Sequence, residues 1–126
     1  MKKNLNVLIA DNESIVISDL KDQLHGWGYK VFTSEEGKDI TSEWIKKNNP
    51  DAVIIDDDFP FVEAGIQKAL EISQQHRIGV ILLCAWMNDE IKRISSKLDS
   101  FQCLSKPFTN EELQNSLEQI LRKQNN

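Results

Sequence analysis

Five short apolar runs recur along this chain, and each is followed by a stretch whose apolar residues return every three or four positions. That alternation is the strongest constraint on the fold. Strands and helices in strict succession imply a parallel sheet with helices on both faces, joined by right-handed crossovers. The runs are Leu5 to Ala10, Tyr29 to Thr33, Ala52 to Ile55, Gly79 to Cys84 and Phe101 to Leu104. The first and fourth are continuously apolar, as strands buried on both faces must be. The helical stretches are Ser14 to His25, residues 38 to 48, Glu63 to Gln75, Asp89 to Leu98 and a last one opened by Thr109-Asn110-Glu111-Glu112.

Each helix carries an inner stripe and a stop or start signal. Val16, Leu20 and Leu24 line the first, which ends at Gly26 and Gly28. Ile40, Trp44 and Ile45 line the second, stopped by Asn49-Pro50. Ile66, Ala69, Leu70 and Ser73 line the third, and Ile91, Ile94 and Leu98 the fourth. Leu113, Leu117, Ile120 and Leu121 line the fifth, which follows a capping box from Thr109 to Glu112.

At 126 residues the chain fits one domain, read here as spanning 1–126, with no repeat or low-complexity segment. A net charge of −5 argues against a nucleic-acid backbone as a direct partner. No apolar run approaches the ~20 residues needed to cross a bilayer, and Val7 to Ala10 is too brief for a signal-peptide core. Cys84 and Cys103 lack metal-ligand spacing, so a cytoplasmic protein with free thiols and no membrane association is expected.

Ligands of open parallel sheets bind beyond the carboxyl ends of the strands. Here those ends carry Asp11-Asn12-Glu13, Asp56-Asp57-Asp58, Cys84-Ala85 and Ser105-Lys106-Pro107. Carboxylates from two strands thus converge with one lysine. Such hard oxygen ligands suit Mg²⁺, which together with an ammonium neutralises phosphoryl oxygens while a carboxylate attacks phosphorus. The residues point to a phosphoryl-transfer site.

Three segments resemble response-regulator receiver domains of bacterial two-component systems. Pro50-Asp51-Ala52-Val53-Ile54-Ile55-Asp56, with Pro60 beyond it, is similar to their phosphoacceptor strand and loop. Val7-Leu8-Ile9-Ala10-Asp11-Asn12-Glu13 resembles their first strand and acidic pair, and Leu104-Ser105-Lys106-Pro107-Phe108 their lysine-proline-aromatic signature. The likeness runs from about residue 5 to 121. It implies a flavodoxin-like (βα)5 fold with strand order 2-1-3-4-5, and a signalling domain rather than an enzyme. It implies Asp56 as phosphoacceptor, charged by a histidine kinase or phosphotransfer protein, and a downstream output protein or domain. Asp11, Asn12, Asp56 and the backbone carbonyl of Asp58 would hold Mg²⁺, and Lys106 would contact the phosphoryl oxygens. Pro107 would follow a cis peptide bond that aims the lysine. With no room for an output domain, the chain would act alone or be part of a longer protein.

Four positions depart from the family pattern. Asn12 stands where a carboxylate is usual, which weakens metal binding. Cys84 replaces the Ser or Thr that bonds the phosphoryl group, and a thiol is a weak donor. Cys103 replaces the aromatic residue that moves with that hydroxyl. Gly65, in Phe61-Val62-Glu63-Ala64-Gly65, comes one residue late and implies a loop of its own shape. The departures favour an atypical switch; a pseudo-receiver that binds partners without phosphorylation-dependent switching is the alternative. A phosphatase resembling the haloacid-dehalogenase superfamily, using Asp56 and Asp58, fits poorly because that motif belongs on a first strand.

Structural readings stand beside these. The three aspartates can form a solvated loop, but Asp56 directly continues an apolar strand, where a carboxylate needs a reason to sit. Asp57 is given no role. Lys106 can be a surface lysine, and Asn12 and Glu13 can serve the start of the first helix. The two cysteines, counted back from the strand ends, fall about three residues or ~10 Å out of line. That is too far for a disulfide and suits small core residues. Phe59, Phe61, Trp86 and Met87 surround the site and would make a partner-binding patch if exposed together, with Cys103, Pro107 and Phe108 on the switch surface.

Overall fold

The computed structural model describes residues 5–37, 40–60, 64–86 and 88–124. Five strands, β1 (Asn6–Ala10), β2 (Lys30–Ser34), β3 (Ala52–Asp56), β4 (Gly79–Cys84) and β5 (Phe101–Ser105), alternate with five helices. The helices are α1 (Ser14–Gly26), α2 (Ser42–Asn48), α3 (Gly65–His76), α4 (Asp89–Lys97) and α5 (Asn110–Gln124). All pairings are parallel and the order is β2-β1-β3-β4-β5, as the resemblance implied. β1, β3 and β4 are the inner strands, and their continuous Val, Ile and Leu runs are buried on both faces.

The sheet divides the interior into two compartments. Leu8, Val53, Ile55, Val80 and Leu82 face one side, with α3, α4 and Ile45 of α2 packed over them. Val7, Ile9, Ile54, Ile81 and Leu83 face the other, beneath Ile17, Leu20 and Leu24 of α1 and Leu113, Leu117 and Ile120 of α5. Successive strand residues point to opposite faces, so each inner strand feeds both compartments.

Local chemistry sets the helix ends. Thr109 Oγ1 accepts from the Glu112 backbone N–H at 3.1 Å while a Glu112 carboxylate oxygen accepts from the Thr109 N–H at 2.9 Å, the reciprocal capping box expected at α5. α2 is shorter than the sequence pattern suggested. Thr41 caps it by accepting from the Trp44 N–H at 3.1 Å, so the helix begins at Ser42 and buried Ile40 precedes it. Lys38 and Asp39, placed in that helix from the sequence, lie outside the described residues. α2 closes on left-handed Asn49 ahead of Pro50. α3 begins at Gly65 rather than Glu63, which also lies outside the described residues. Its buried stripe includes Ile72, and that of α1 includes Ile17, two residues the stripe assignments missed.

Candidate functional site

The carboxyl ends of β1, β3 and β5 bring Asp11, Asp56 and Lys106 together. Asp56 is the last residue of β3 and 7% exposed; Asp11 follows β1 and is 3% exposed. Lys106 follows β5, and its ammonium donates to Asp56 Oδ1 in a close ion pair. The other oxygen, Oδ2, accepts from the Asp58 N–H at 3.0 Å, so both carboxylate oxygens are held. The peptide bond before Pro107 is cis, as is that before Pro60.

Asp11 Oδ1 accepts from the Glu13 N–H at 2.9 Å and so shapes the entry to α1. Asn12 does not cap that helix. Its amide nitrogen crosses to the loop after β3 and donates to the Asp58 carbonyl at 3.0 Å. Two of the positions assigned to the metal are therefore tied to each other. That bond uses the Asn12 amide nitrogen and not its oxygen.

Asp57 was given no role from its sequence, yet it is part of the cluster. One carboxylate oxygen from each of Asp56, Asp57 and Asp58 falls within 4.8 Å of the others. Asp57 Oδ1 is buried without a hydrogen-bond partner, while the carboxylate also accepts from the Ala85 backbone N–H at the end of β4. The signal that would have found it is its position: one residue past the buried end of β3, beside the β4 loop. Burial pushes the Asp57 carboxyl up, and the charges of Asp56 and Asp58 push further. Burial likewise raises Asp11, with Asp56 adding to it against the Glu13 hydrogen bond. At Lys106 burial opposes the charge, but the hydrogen bond and field of Asp56, helped by Asp11 and Asp57, hold the ammonium above its ordinary range. The arrangement is short of positive charge, and an orphaned buried carboxylate oxygen among three clustered carboxylates fits a hard divalent cation.

Gly65 closes the site from below. Its N–H donates to the Asp57 carbonyl at 2.8 Å, and a Cβ there would lie 2.0 Å from the Asp56 carbonyl oxygen. The late glycine is thus the point where α3 meets the backbone of the aspartate loop. Phe61, Val62 and Glu63 of that loop lie outside the described residues.

Cys84 is wholly buried at the end of β4, and its thiol donates to the Leu82 carbonyl at 3.6 Å. Cys103 is half-buried in β5. The strand register corrects their assumed spacing: Cys103 pairs with Leu82, two residues from Cys84 and on the same face, not three out of line. The neighbouring Cys103 thiol and burial push Cys84 up, whereas Cys84 and the Ser95 hydroxyl draw Cys103 down against its own burial.

Of the aromatic patch suggested by the sequence, Phe59 drops out and Trp86 is exposed. Phe59 is fully buried, its ring against Gly37, and Met87 lies outside the described residues. Trp86 is 83% exposed and borders a cleft of about 580 Å³ with Asp57, Asp58, Ile66, Ala85 and Ile91. Phe108 instead packs onto the α1–α5 compartment, and Pro107 is exposed beside it.

This sheet order, with an acidic pocket and a lysine at its carboxyl end, is the architecture of a signalling receiver domain. The chain belongs to the response regulator receiver domain family, whose model matches residues 7–118. It is 30% identical over 116 residues to the response regulator GtcR of Aneurinibacillus migulanus, covering 92% of this chain and 45% of that protein. It spans about half the length of the curated relatives it matches. Among solved structures it is similar to the response regulator TrrA of Thermotoga maritima, in complex with Mg²⁺-BeF, at 26% identity and a TM-score of 0.75, covering 93% of this chain and 99% of that one. The chemotaxis protein CheY4 of Vibrio cholerae shares the fold at 23% identity and a TM-score of 0.75, covering 94% of this chain and 99% of that one. No helix among the described residues is long and apolar enough to cross a membrane.

Proposed function

We propose that the chain accepts a phosphoryl group on Asp56 from a phosphohistidine donor and presents the altered surface to a downstream partner. The observation that carries this reading is the buried Asp56 carboxylate held between Lys106 and the Asp58 N–H. An Asp56 oxygen forms the new bond to phosphorus as the phosphorus–nitrogen bond breaks and its electron pair returns to the donor imidazole. Lys106 leaves the carboxylate for the incoming phosphoryl oxygens, keeping its charge balanced throughout.

Asp11, Asp56, the Asp58 carbonyl and the Asn12 amide oxygen are the residues that would hold Mg²⁺. Bound there, the ion supplies charge neutralisation for the phosphoryl oxygens. With an amide in place of one carboxylate, the pocket binds it more weakly than an acidic pair would.

The switch is atypical in this reading. The Cys84 thiol donates to the Leu82 carbonyl, and a thiol is a weaker donor to a phosphoryl oxygen than the usual hydroxyl. That same observation favours the second reading, a receiver that binds its partner without phosphorylation-dependent change. The dehalogenase-like alternative is set aside, because its paired aspartates belong after a first strand, whereas Asp56 ends β3 and Asp58 lies in the loop beyond it. The partners proposed are a cytoplasmic histidine kinase or phosphotransfer protein and an output protein or domain, with 1–126 acting as one receiver unit.

Intact-mass measurement after incubation with acetyl phosphate and Mg²⁺, beside Asp56→Asn, tests the acceptor. One added phosphoryl group, absent in the variant and without Mg²⁺, is the expected result. No addition under conditions that label an ordinary receiver overturns the acceptor reading in favour of the second one.

A further inference from the structure

Neither thiol is needed for phosphoryl transfer, yet the two sit together. β4 and β5 align Leu82 with Cys103 and Cys84 with Ser105, which puts both cysteines on the α3–α4 face of the sheet. Cys103 packs against the core cluster that contains Cys84, close enough for each thiol to shift the other's titration. Cys84 is sealed in the core, whereas Cys103 lies on the edge strand and is only half-buried. Ser95 of α4 lies near Cys103, its hydroxyl donating to the Phe101 carbonyl at 3.5 Å. A half-buried cysteine on the edge strand thus has a second, fully buried cysteine two register positions away on the same face.

We infer that Cys84 and Cys103 form an oxidisable dithiol, with Cys103 the thiol that attacks a hydroperoxide and Cys84 the one that resolves it. The Cys103 sulfur takes the terminal peroxide oxygen as the O–O bond breaks, and with hydrogen peroxide the departing oxygen leaves as water after taking the thiol proton. Cys84 sulfur then displaces the hydroxyl of the resulting sulfenic acid, giving up its own proton, and a second water leaves. Two thiols are oxidised to one disulfide and one peroxide is reduced to two waters. The depressed Cys103 thiol supports this division of roles, since the thiolate is the nucleophile.

The register also says what the bond does. Strands ~4.8 Å apart with a two-residue offset of ~3.3 Å each put the two Cα atoms ~8 Å apart. Disulfides span roughly 4.4–6.8 Å, so closure draws the edge strand β5 along β4 by an ångström or more. A bond formed against that displacement is readily reduced, which makes the modification reversible. α4 follows through Ser95, so oxidation reaches the same helix face that borders the Trp86 cleft.

The test uses the whole reduced, unphosphorylated chain treated with hydrogen peroxide, and so does not depend on Asp56. Thiol titration under denaturing conditions and peptide mapping without reductant follow. The expected result is loss of both thiols, a Cys84–Cys103 linked peptide and full recovery with dithiothreitol. In Cys84→Ser, dimedone should instead trap a sulfenic acid on Cys103. Two titratable thiols after peroxide, links only between chains, or irreversible oxidation of Cys103 with Cys84 still free would each overturn the assignment. The wild-type mapping decides the matter even where the variant folds poorly.

Discussion

Replacing Gly65 by alanine gives the most direct test of how the site is built. The new Cβ would meet the Asp56 carbonyl oxygen at 2.0 Å and the Asp57 Cα and carbonyl carbon at 2.6 and 2.7 Å. All three are backbone atoms, so no side chain can turn aside. Carbon contacts settle near ~3.5–4.0 Å, and α3 must therefore lift from the aspartate loop by more than an ångström. Overpacking of this kind costs about 1–3 kcal/mol, and a fixed backbone neighbour places the case at the upper end. Separation also breaks the Gly65 N–H to Asp57 carbonyl bond, another ~1 kcal/mol. Relief of a helical glycine returns ~1 kcal/mol at most. The net loss is about 3 kcal/mol, which lowers the midpoint of thermal unfolding by roughly 10 °C in a domain of this size. Gly26→Ala is the control: no atom lies within 4 Å of its Cβ and its φ is ordinary, so its midpoint should hold or rise slightly. Circular dichroism melts of both variants decide the matter. A Gly65→Ala midpoint within about 3 °C of wild type would refute the claim that the loop and α3 are in obligatory contact.

Thr109→Ala removes half of the α5 capping box and should cost ~1 kcal/mol in urea unfolding, since the Glu112 N–H loses its acceptor. Asp57→Asn should raise the unfolding midpoint at pH 7 without divalent metal. The wild-type carboxyl is raised by burial, so its ionisation weakens the fold as pH climbs through the folded value, and the amide escapes that loss. The advantage should vanish below the ordinary carboxylate range, and a variant equally favoured at pH 3 would contradict this account. Mg²⁺ should stabilise the wild type by mass action, by about 2.7 kcal/mol at a hundredfold excess over its Kd, and Asp11→Asn should need more metal for the same gain. Calorimetry with a magnesium titration reads both.

The strands were legible because their burial is written into consecutive residues. Val7 to Ala10 and Val80 to Cys84 admit no other placement in an alternating chain. The polar ends followed from the same logic, and Asp11, Asp56 and Lys106 do meet. What escaped was whatever depends on how separate segments lie against each other. Phe59 looked like a loop aromatic, yet the loop folds it beneath Gly37, whose positive φ of 81° brings the backbone close to the ring. Asn12 could equally start the first helix or belong to the metal position, and only the fold shows that its partner is 46 residues away. The cysteine pair depended on strand register, which a one-residue miscount from the strand ends is enough to hide. Asp57 was overlooked because a carboxylate in an acidic run carries no periodic signal.

The division of the interior by the sheet has a consequence for how such a chain can change over time. Side chains above and below it touch only through the strands that separate them, so a volume lost under α1 and α5 cannot be refilled from α3 and α4. Each compartment answers to its own packing constraint, and substitutions on opposite sides should combine independently. One half can drift toward a new partner while the other keeps its shape. The aspartate and lysine at the strand ends, anchored in the wall common to both, stay in register with either.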